Sequence, residues 1–296
     1  MPPCPGSGRA IYSPSLDSPH VPRYTATWGP ASRSASEQSA ATGRGRWSGA
    51  GGTEEEDAPI VDGHENRILA CLPAEDRARL LSKLAPVFLR VRTVLFEPGQ
   101  LVDAVYFPLD GVVSLVTPLE DGAIVEVATV GNEGVVGVPL IFGGALAVRA
   151  ISQVAGRCLT MSADAFLEAM ANSHPISQMV QTYVLALFGQ ISQAAACNRL
   201  HNNEERLSRW LLMSHDRIGA DKFMITQEFL AQMLGSRRAT VTLSAGVLQK
   251  AGLIRYHRGH VEIVDRAGLE SVSCECYRVI KSELDKVTAT RAFAAA

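Results

Sequence analysis

The chain has 296 residues, 47% of them hydrophobic, with 28 basic against 30 acidic side chains and a formal net charge of −2. That length supports about two domains with cores of their own, and the overall balance excludes bulk positive charge as the basis of any nucleic-acid binding. No apolar run reaches the roughly 18 residues that cross a bilayer and no apolar signal-peptide core opens the chain, so no membrane partner and a cytoplasmic location are expected.

Charge is unevenly placed: residues 62–200 carry 9 basic and 13 acidic side chains, residues 201–296 carry 14 and 11. The C-terminal part is therefore the net basic one. The six cysteines, Cys4, Cys71, Cys158, Cys197, Cys274 and Cys276, show no metal-site or disulfide-framework spacing, which suits a reducing compartment. Cys274 and Cys276 on one helix would point about 200° apart and share a metal poorly. No metal site and no cofactor is expected.

In chain order, residues 1–61 are rich in Gly, Ser, Pro, Arg and Ala and end near the acidic run Glu54-Glu55-Glu56-Asp57. Such a segment buries too little to offset its ordering entropy, so it reads as a disordered leader or as an overextended gene start. Short helices are expected from Asn66 to Leu84 around Pro73. Strands follow at Val87–Val91, Thr93–Glu97, Val102–Pro108, Gly111–Thr117 and Ala123–Val130, punctuated by Pro98-Gly99, Asp110-Gly111 and Asp121-Gly122. Further strands are expected at Val135–Val138 and Val148–Met161. Residues 62–172 thus form an antiparallel roll or barrel, closed by a helix ending near Ala171.

A long helix then runs from Pro175, which suits a first helical turn, to about Leu200. Met179, Val180, Tyr183, Val184, Leu187 and Ile191 recur at three- and four-residue spacing, giving one apolar stripe. The stripe fits either the core of a domain or a dimerisation seam over residues 173–200.

Residues 201–287 form a second domain, with 288–296 as a disordered tail. Within it, Thr226 can cap a helix whose apolar face is Phe229, Leu230, Met233 and Leu234, ending at Gly235. Ser236 can cap a second helix to about Lys250, and Arg258-Gly259 turns a hairpin between Ile254–Tyr256 and His260–Val264. This is helix-turn-helix spacing followed by a wing. With Val241, Ala245 and Leu248 buried, the second helix presents Arg238, Ala239, Thr242, Leu243 and Gly246. Arg237 and Arg238 stand where phosphates and base edges meet a helix N-terminus, and only Arg238 can make a bidentate guanine contact. Ala239, Leu243 and the Thr242 methyl suit thymine methyls; Leu243 fits equally against the wing. Thr226, Gln227, Ser236, Thr240 and Arg258 complete the expected double-stranded DNA contact set.

Roll, long helix and winged helix-turn-helix together resemble the Crp/Fnr superfamily of bacterial transcriptional regulators. The resemblance spans roughly residues 66–285 and rests on Phe96-Glu97-Pro98-Gly99, on Tyr106 to Val113, and most specifically on Thr226 to Val241. It implies an α+β chain with a cyclic-nucleotide-binding-domain-like roll, a homodimer on a palindromic site, and RNA polymerase as a further partner. Cyclic-nucleotide-binding members resemble Gly-Glu-Leu followed by Arg-Ser or Arg-Thr, the carboxylate holding ribose and the arginine the cyclic phosphate. This chain has Gly137-Val138-Pro139 and Arg149-Ala150 instead. Val138 cannot accept a ribose hydrogen bond, and Glu133 lies too early without a register slip, so control by cAMP through that pocket is not expected. Cys4 with Cys71 cannot supply the cysteine cluster of iron–sulfur members, and His64 and His174 are too isolated to read as haem ligands. The effector is left open.

Two other functions compete: an effector-binding or protein-interaction module whose helix-turn-helix is only structural, and an enzyme. No nucleophile–base pairing, paired carboxylates or phosphate-cradling loop supports the last; Gly143-Gly144 reads as a turn.

Overall fold

The computed structural model describes residues 65–289. The expected leader, residues 1–61, lies outside the described residues, as does the expected tail apart from 288 and 289, which prolong the last helix.

Two short helices lead in: α1 (Arg67–Ala70) and α2 (Ala74–Leu81). Asn66 caps α1, accepting from Leu69 N at 3.3 Å, while its amide donates to the carbonyls of Pro108 (3.0 Å) and Gly134 (2.9 Å). One buried side chain thus starts a helix and ties it to the roll.

The roll comprises β1 (Ala85–Leu89), β2 (Val94–Phe96), β3 (Ala104–Pro108), β4 (Val112–Pro118), β5 (Ile124–Val130), β6 (Arg149–Val154) and β7 (Gly156–Ser162). They form two antiparallel sheets, ordered β1-β7-β3 and β2-β6-β4-β5. Alternate residues face inward, and Val105, Phe107, Val116, Val130 and Ala150 are fully buried. Two expected strands differ. Val148–Met161 is broken at residue 155 into β6 and β7, which belong to different sheets. Val135–Val138 makes only a bridge from Val136 to Tyr106 before a 3-10 helix, Val138–Phe142. Gly137, at φ +115°, turns the chain out of the extended conformation there.

Helix α3 (Ala163–Asn172) is capped by Ser162, and α4 (His174–Leu200) by Ser173. At 27 residues, α4 is about 40 Å long. Its expected dimerisation stripe is corrected: Met179, Val180, Tyr183 and Leu187 are buried inside this chain, and Val184 and Ile191 are half-buried. On the opposite face, with Ala195, the apolar side chains Leu185 and Phe188 stand in solvent, 71% and 66% exposed, and Leu200 is exposed at the helix end.

The C-terminal part comprises α5 (Asn203–Ile218), β8 (Lys222–Met224), α6 (Gln227–Met233), α7 (Arg238–Lys250), β9 (Ile254–His257), β10 (His260–Ile263), α8 (Arg266–Val272) and α9 (Cys276–Ala289). A reciprocal capping box between Asn202 and Glu205 starts α5. The wing has three strands, β8-β10-β9, one more than the sequence pattern showed. Helix α9 lies along α4.

Roll, α4 and winged helix share one continuous core. Helix α5 seats on the roll through Arg217, whose Nε donates to Glu133 Oε1 at 2.7 Å, both side chains about 5% exposed or less. Arg217 also donates to the carbonyls of Met213 (3.1 Å) and Thr129 (3.2 Å). A Cβ on Gly131 would overlap the Arg217 side chain, so only glycine admits it here. Nearby, Trp210 Nε1 donates to Glu126 Oε1 (3.0 Å) and Ser114 Oγ to Glu126 Oε2 (2.7 Å). Burial pushes the Glu126 carboxyl up to about 7, against the opposing pull of Ser114, Arg209, Arg217 and Trp210.

Candidate nucleic-acid interface

Thr226 caps α6 as its sequence position implies, with Phe229 N donating to Thr226 Oγ1 at 3.2 Å. The helix stops at Leu234, and Gly235, at φ +56°, reverses the chain with the left-handed turn expected of it. Val241, Ala245 and Leu248 then bury one face of α7 against α5 and α6. Packing against each other and α5 covers the apolar faces of both helices.

Ser236 is corrected: it does not cap α7. The N-cap is Arg237, with no side-chain cap bond, and Ser236 Oγ donates to Asn203 Oδ1 at 2.6 Å, fastening the turn to α5.

The outward face of α7 carries Arg238, Ala239, Thr242 and Leu243, with Gly246 and Thr240 at its half-buried margins. Leu243 is 71% exposed, which decides against its being tucked beneath the wing. Val247, one turn further on, extends the apolar strip and is a member that the sequence reading missed. Its i+4 spacing from Leu243 was the available signal. Thr242 Oγ1 donates to Gln227 Oε1 at 2.7 Å, so α6 orients a side chain of this outward face. At the wing tip Arg258 (φ +47°) and Gly259 (φ +81°) form the tight two-residue turn, with Arg258 exposed. Arg237, Arg238 and Arg258 make no ion pair among the described residues. Their charge is available to a partner.

The four expected effector residues lie at different places in the roll. Gly137 and Val138 begin the 3-10 helix, Ala150 is fully buried, and Arg149 Nε donates to Glu97 Oε2 at 2.8 Å. Glu133 is taken by Arg217.

The cysteine reading is also corrected. Cys274 lies in the turn before α9 and Cys276 is that helix's first residue, so the two are not on one helix and their sulfurs converge. With Cys197 and His201 they place four ligand atoms within 4.8 Å of one another. Cys197 and His201, four apart at the end of α4, were the half of this set legible in the sequence. Hydrogen bonding from Cys274 lowers the Cys197 thiol, while the same contact and burial raise Cys274.

With this geometry in hand, two family models match: a cyclic nucleotide-binding domain over residues 86–173 and a Crp-like helix-turn-helix domain over residues 205–272. The chain belongs to the Crp/Fnr superfamily of DNA-binding transcriptional regulators. It is similar in fold to FixK2 from Bradyrhizobium japonicum (15% identity, TM-score 0.57, covering 64% of this chain and 98% of that one). It is likewise similar to the c-di-GMP responsive regulator CLP of Xanthomonas campestris (18%, 0.53, 64% and 98%). A transcriptional regulator of the CRP family from Thermus thermophilus gives 19%, 0.54, 63% and 96%. No curated protein matches the sequence. Among the described residues no helix is long and apolar enough to cross a membrane.

Proposed function

We propose that the chain acts in the cytoplasm as a homodimer, reading a palindromic DNA site with α7 and controlled by something other than cAMP at the usual pocket. The observation that carries the reading is the face of α7: Arg238, Ala239, Thr242 and Leu243 stand in solvent beside the unpaired Arg237 and Arg258, while the other face is core. Arg238 is the base-reading residue, Arg237 and Arg258 meet phosphates, and the apolar strip favours thymine methyls. Leu185, Phe188 and Ala195 form the seam between two copies of α4, which sets two α7 helices about 34 Å apart, one turn of DNA. Family relationship adds RNA polymerase as a partner.

Independence from cAMP is supported by Val138, which offers no acceptor to a ribose, and by Arg149, whose guanidinium is already engaged by Glu97. Binding to the DNA upstream of the chain's own gene, followed by gel shift across a salt series, tests the reading. Affinity should fall steeply as salt rises, and sedimentation should show a dimer that Leu185→Asp with Phe188→Asp converts to monomer. Salt-insensitive binding, or none, would favour a structural helix-turn-helix in an interaction module instead.

A further inference from the structure

Neither the reading face nor the roll uses the cluster where the end of α4 meets the start of α9. There Cys197 Sγ lies 3.6 Å from Cys274 Sγ, and Cys276 Sγ lies 3.4 Å from His201 Nδ1. All three cysteines are buried, and His201 is half-buried. We propose that Cys197, His201, Cys274 and Cys276 form a closed tetrahedral site for a zinc-like divalent ion, clamping the C-terminal end of α4 to α9.

Four things support this. First, metal–sulfur bonds of about 2.3 Å and a metal–nitrogen bond of about 2.0 Å at tetrahedral angles separate neighbouring ligand atoms by roughly 3.5–3.8 Å, close to the 3.6 Å of Cys197–Cys274 and the 3.4 Å of Cys276–His201, with all four atoms within 4.8 Å of one another. A disulfide needs about 2.05 Å between sulfurs, so Cys197 and Cys274 stand at co-ligand rather than bonded separation.

Second, the histidine is oriented from outside. His201 Nε2 lies 3.2 Å from Glu275 Oε2, so a proton there donates to the carboxylate and leaves the Nδ1 lone pair facing the sulfurs. Carboxylate–histidine–metal chains have this form. Gln193, about one turn before Cys197, supplies a second outer contact, its Nε2 donating to Cys276 Sγ at 3.1 Å.

Third, charge balances. Any thiol proton still in the site leaves to solvent on binding, and three thiolates around a dipositive ion leave one negative charge. Arg206 and Arg209 are buried on the neighbouring turns of α5, and neither has a carboxylate ion-pair partner among the described residues. Both Nε atoms lack an acceptor. An anionic centre beside them supplies the countercharge that a buried guanidinium otherwise lacks.

Fourth, all four positions are protein atoms, which describes a site that holds structure rather than one that turns over substrate. By fixing α4 to α9, the ion sets the direction in which the winged helix leaves α4, a property separate from whether α7 reads DNA.

The test uses the full chain, purified anaerobically with reductant. Elemental analysis should find one zinc per chain, and Co(II) added to chelator-treated protein should give the visible bands of tetrahedral thiolate cobalt. Cys197→Ser and Cys276→Ser should lose the ion, Cys71→Ser should keep it, and Glu275→Gln should weaken it about tenfold. Absence of tetrahedral cobalt bands from the wild-type chain would overturn the proposal, since that readout needs no variant to fold. Metal retained by both cysteine variants, or a Cys197–Cys274 disulfide in the metal-free protein under reductant, would overturn it as well. DNA binding enters none of these readouts, so the site and the proposed function fail independently.

Discussion

The reading face and the junction between roll and α5 both depend on arginine, in opposite ways. Arg237, Arg238 and Arg258 stand in water without ion-pair partners among the described residues, whereas Arg217 is buried and closed on Glu133. An exposed guanidinium costs the fold little and is free to meet phosphate or guanine. A buried one is committed: its desolvation is offset only while its carboxylate stays in place. The first group can therefore change with the DNA site, and the second cannot change alone.

The largest way to break this comparison is at the junction. Arg217→Ala should destabilise the chain by about 3–5 kcal/mol, because Glu133 is left buried and unpaired. A urea midpoint unchanged from wild type would show that the pair carries no such commitment. Replacing both partners with apolar residues should recover much of the loss, which the same unfolding curves would show.

At the reading face Arg238→Ala should leave the urea midpoint in place while costing about 1–3 kcal/mol of site-specific DNA affinity, measured by anisotropy on matched and mismatched duplexes. Equal affinity for wild type and variant would remove Arg238 from the base-reading role. Exposure makes the two readouts separable here, where at Arg217 they are not.

Glu126 sharpens the contrast through pH. Its carboxyl is held at about 7 in the folded chain against an ordinary 4.5, so between those values the folded chain binds more protons than the unfolded one. Stability should then fall as pH rises from 4.5 to 7, by about 1–3 kcal/mol given that the residue is only half-buried. Glu126→Gln should flatten that slope in unfolding curves taken at pH 5 and pH 8. A persisting slope would assign the effect to another group.

The smallest effect is expected at a local device. Thr226→Ala removes the cap of α6 and should cost about 1 kcal/mol, read as a shift in melting temperature. Thr226→Ser should restore it.

The helix-turn-helix was legible because its signals act within a few residues. Thr226 caps Phe229, Gly235 turns, and Val241, Ala245 and Leu248 mark a face four or seven apart. The same local rules misassigned Ser236, since its distant partner Asn203 competes for the hydroxyl. They also ran β6 and β7 together, because an apolar run does not announce which sheet each half joins. On α4 the periodicity located a stripe but not its partner. Met179, Val180, Tyr183 and Leu187 pack within the chain, and the outward Leu185 and Phe188 went unremarked because one helix can show apolar residues on two faces.

By itself, then, the sequence determined the order of roll, long helix and winged helix, the Thr226 cap of α6, the turn at Gly235 and which side chains of α7 are buried. Each follows from backbone preference and apolar spacing over one or two helical turns. Tertiary structure alone decided which face of α4 is covered, that Glu133 is spent on Arg217 84 residues away, and that Cys197 meets Cys274 across 77. Contacts at such separations are set by how whole elements pack, which no local pattern encodes.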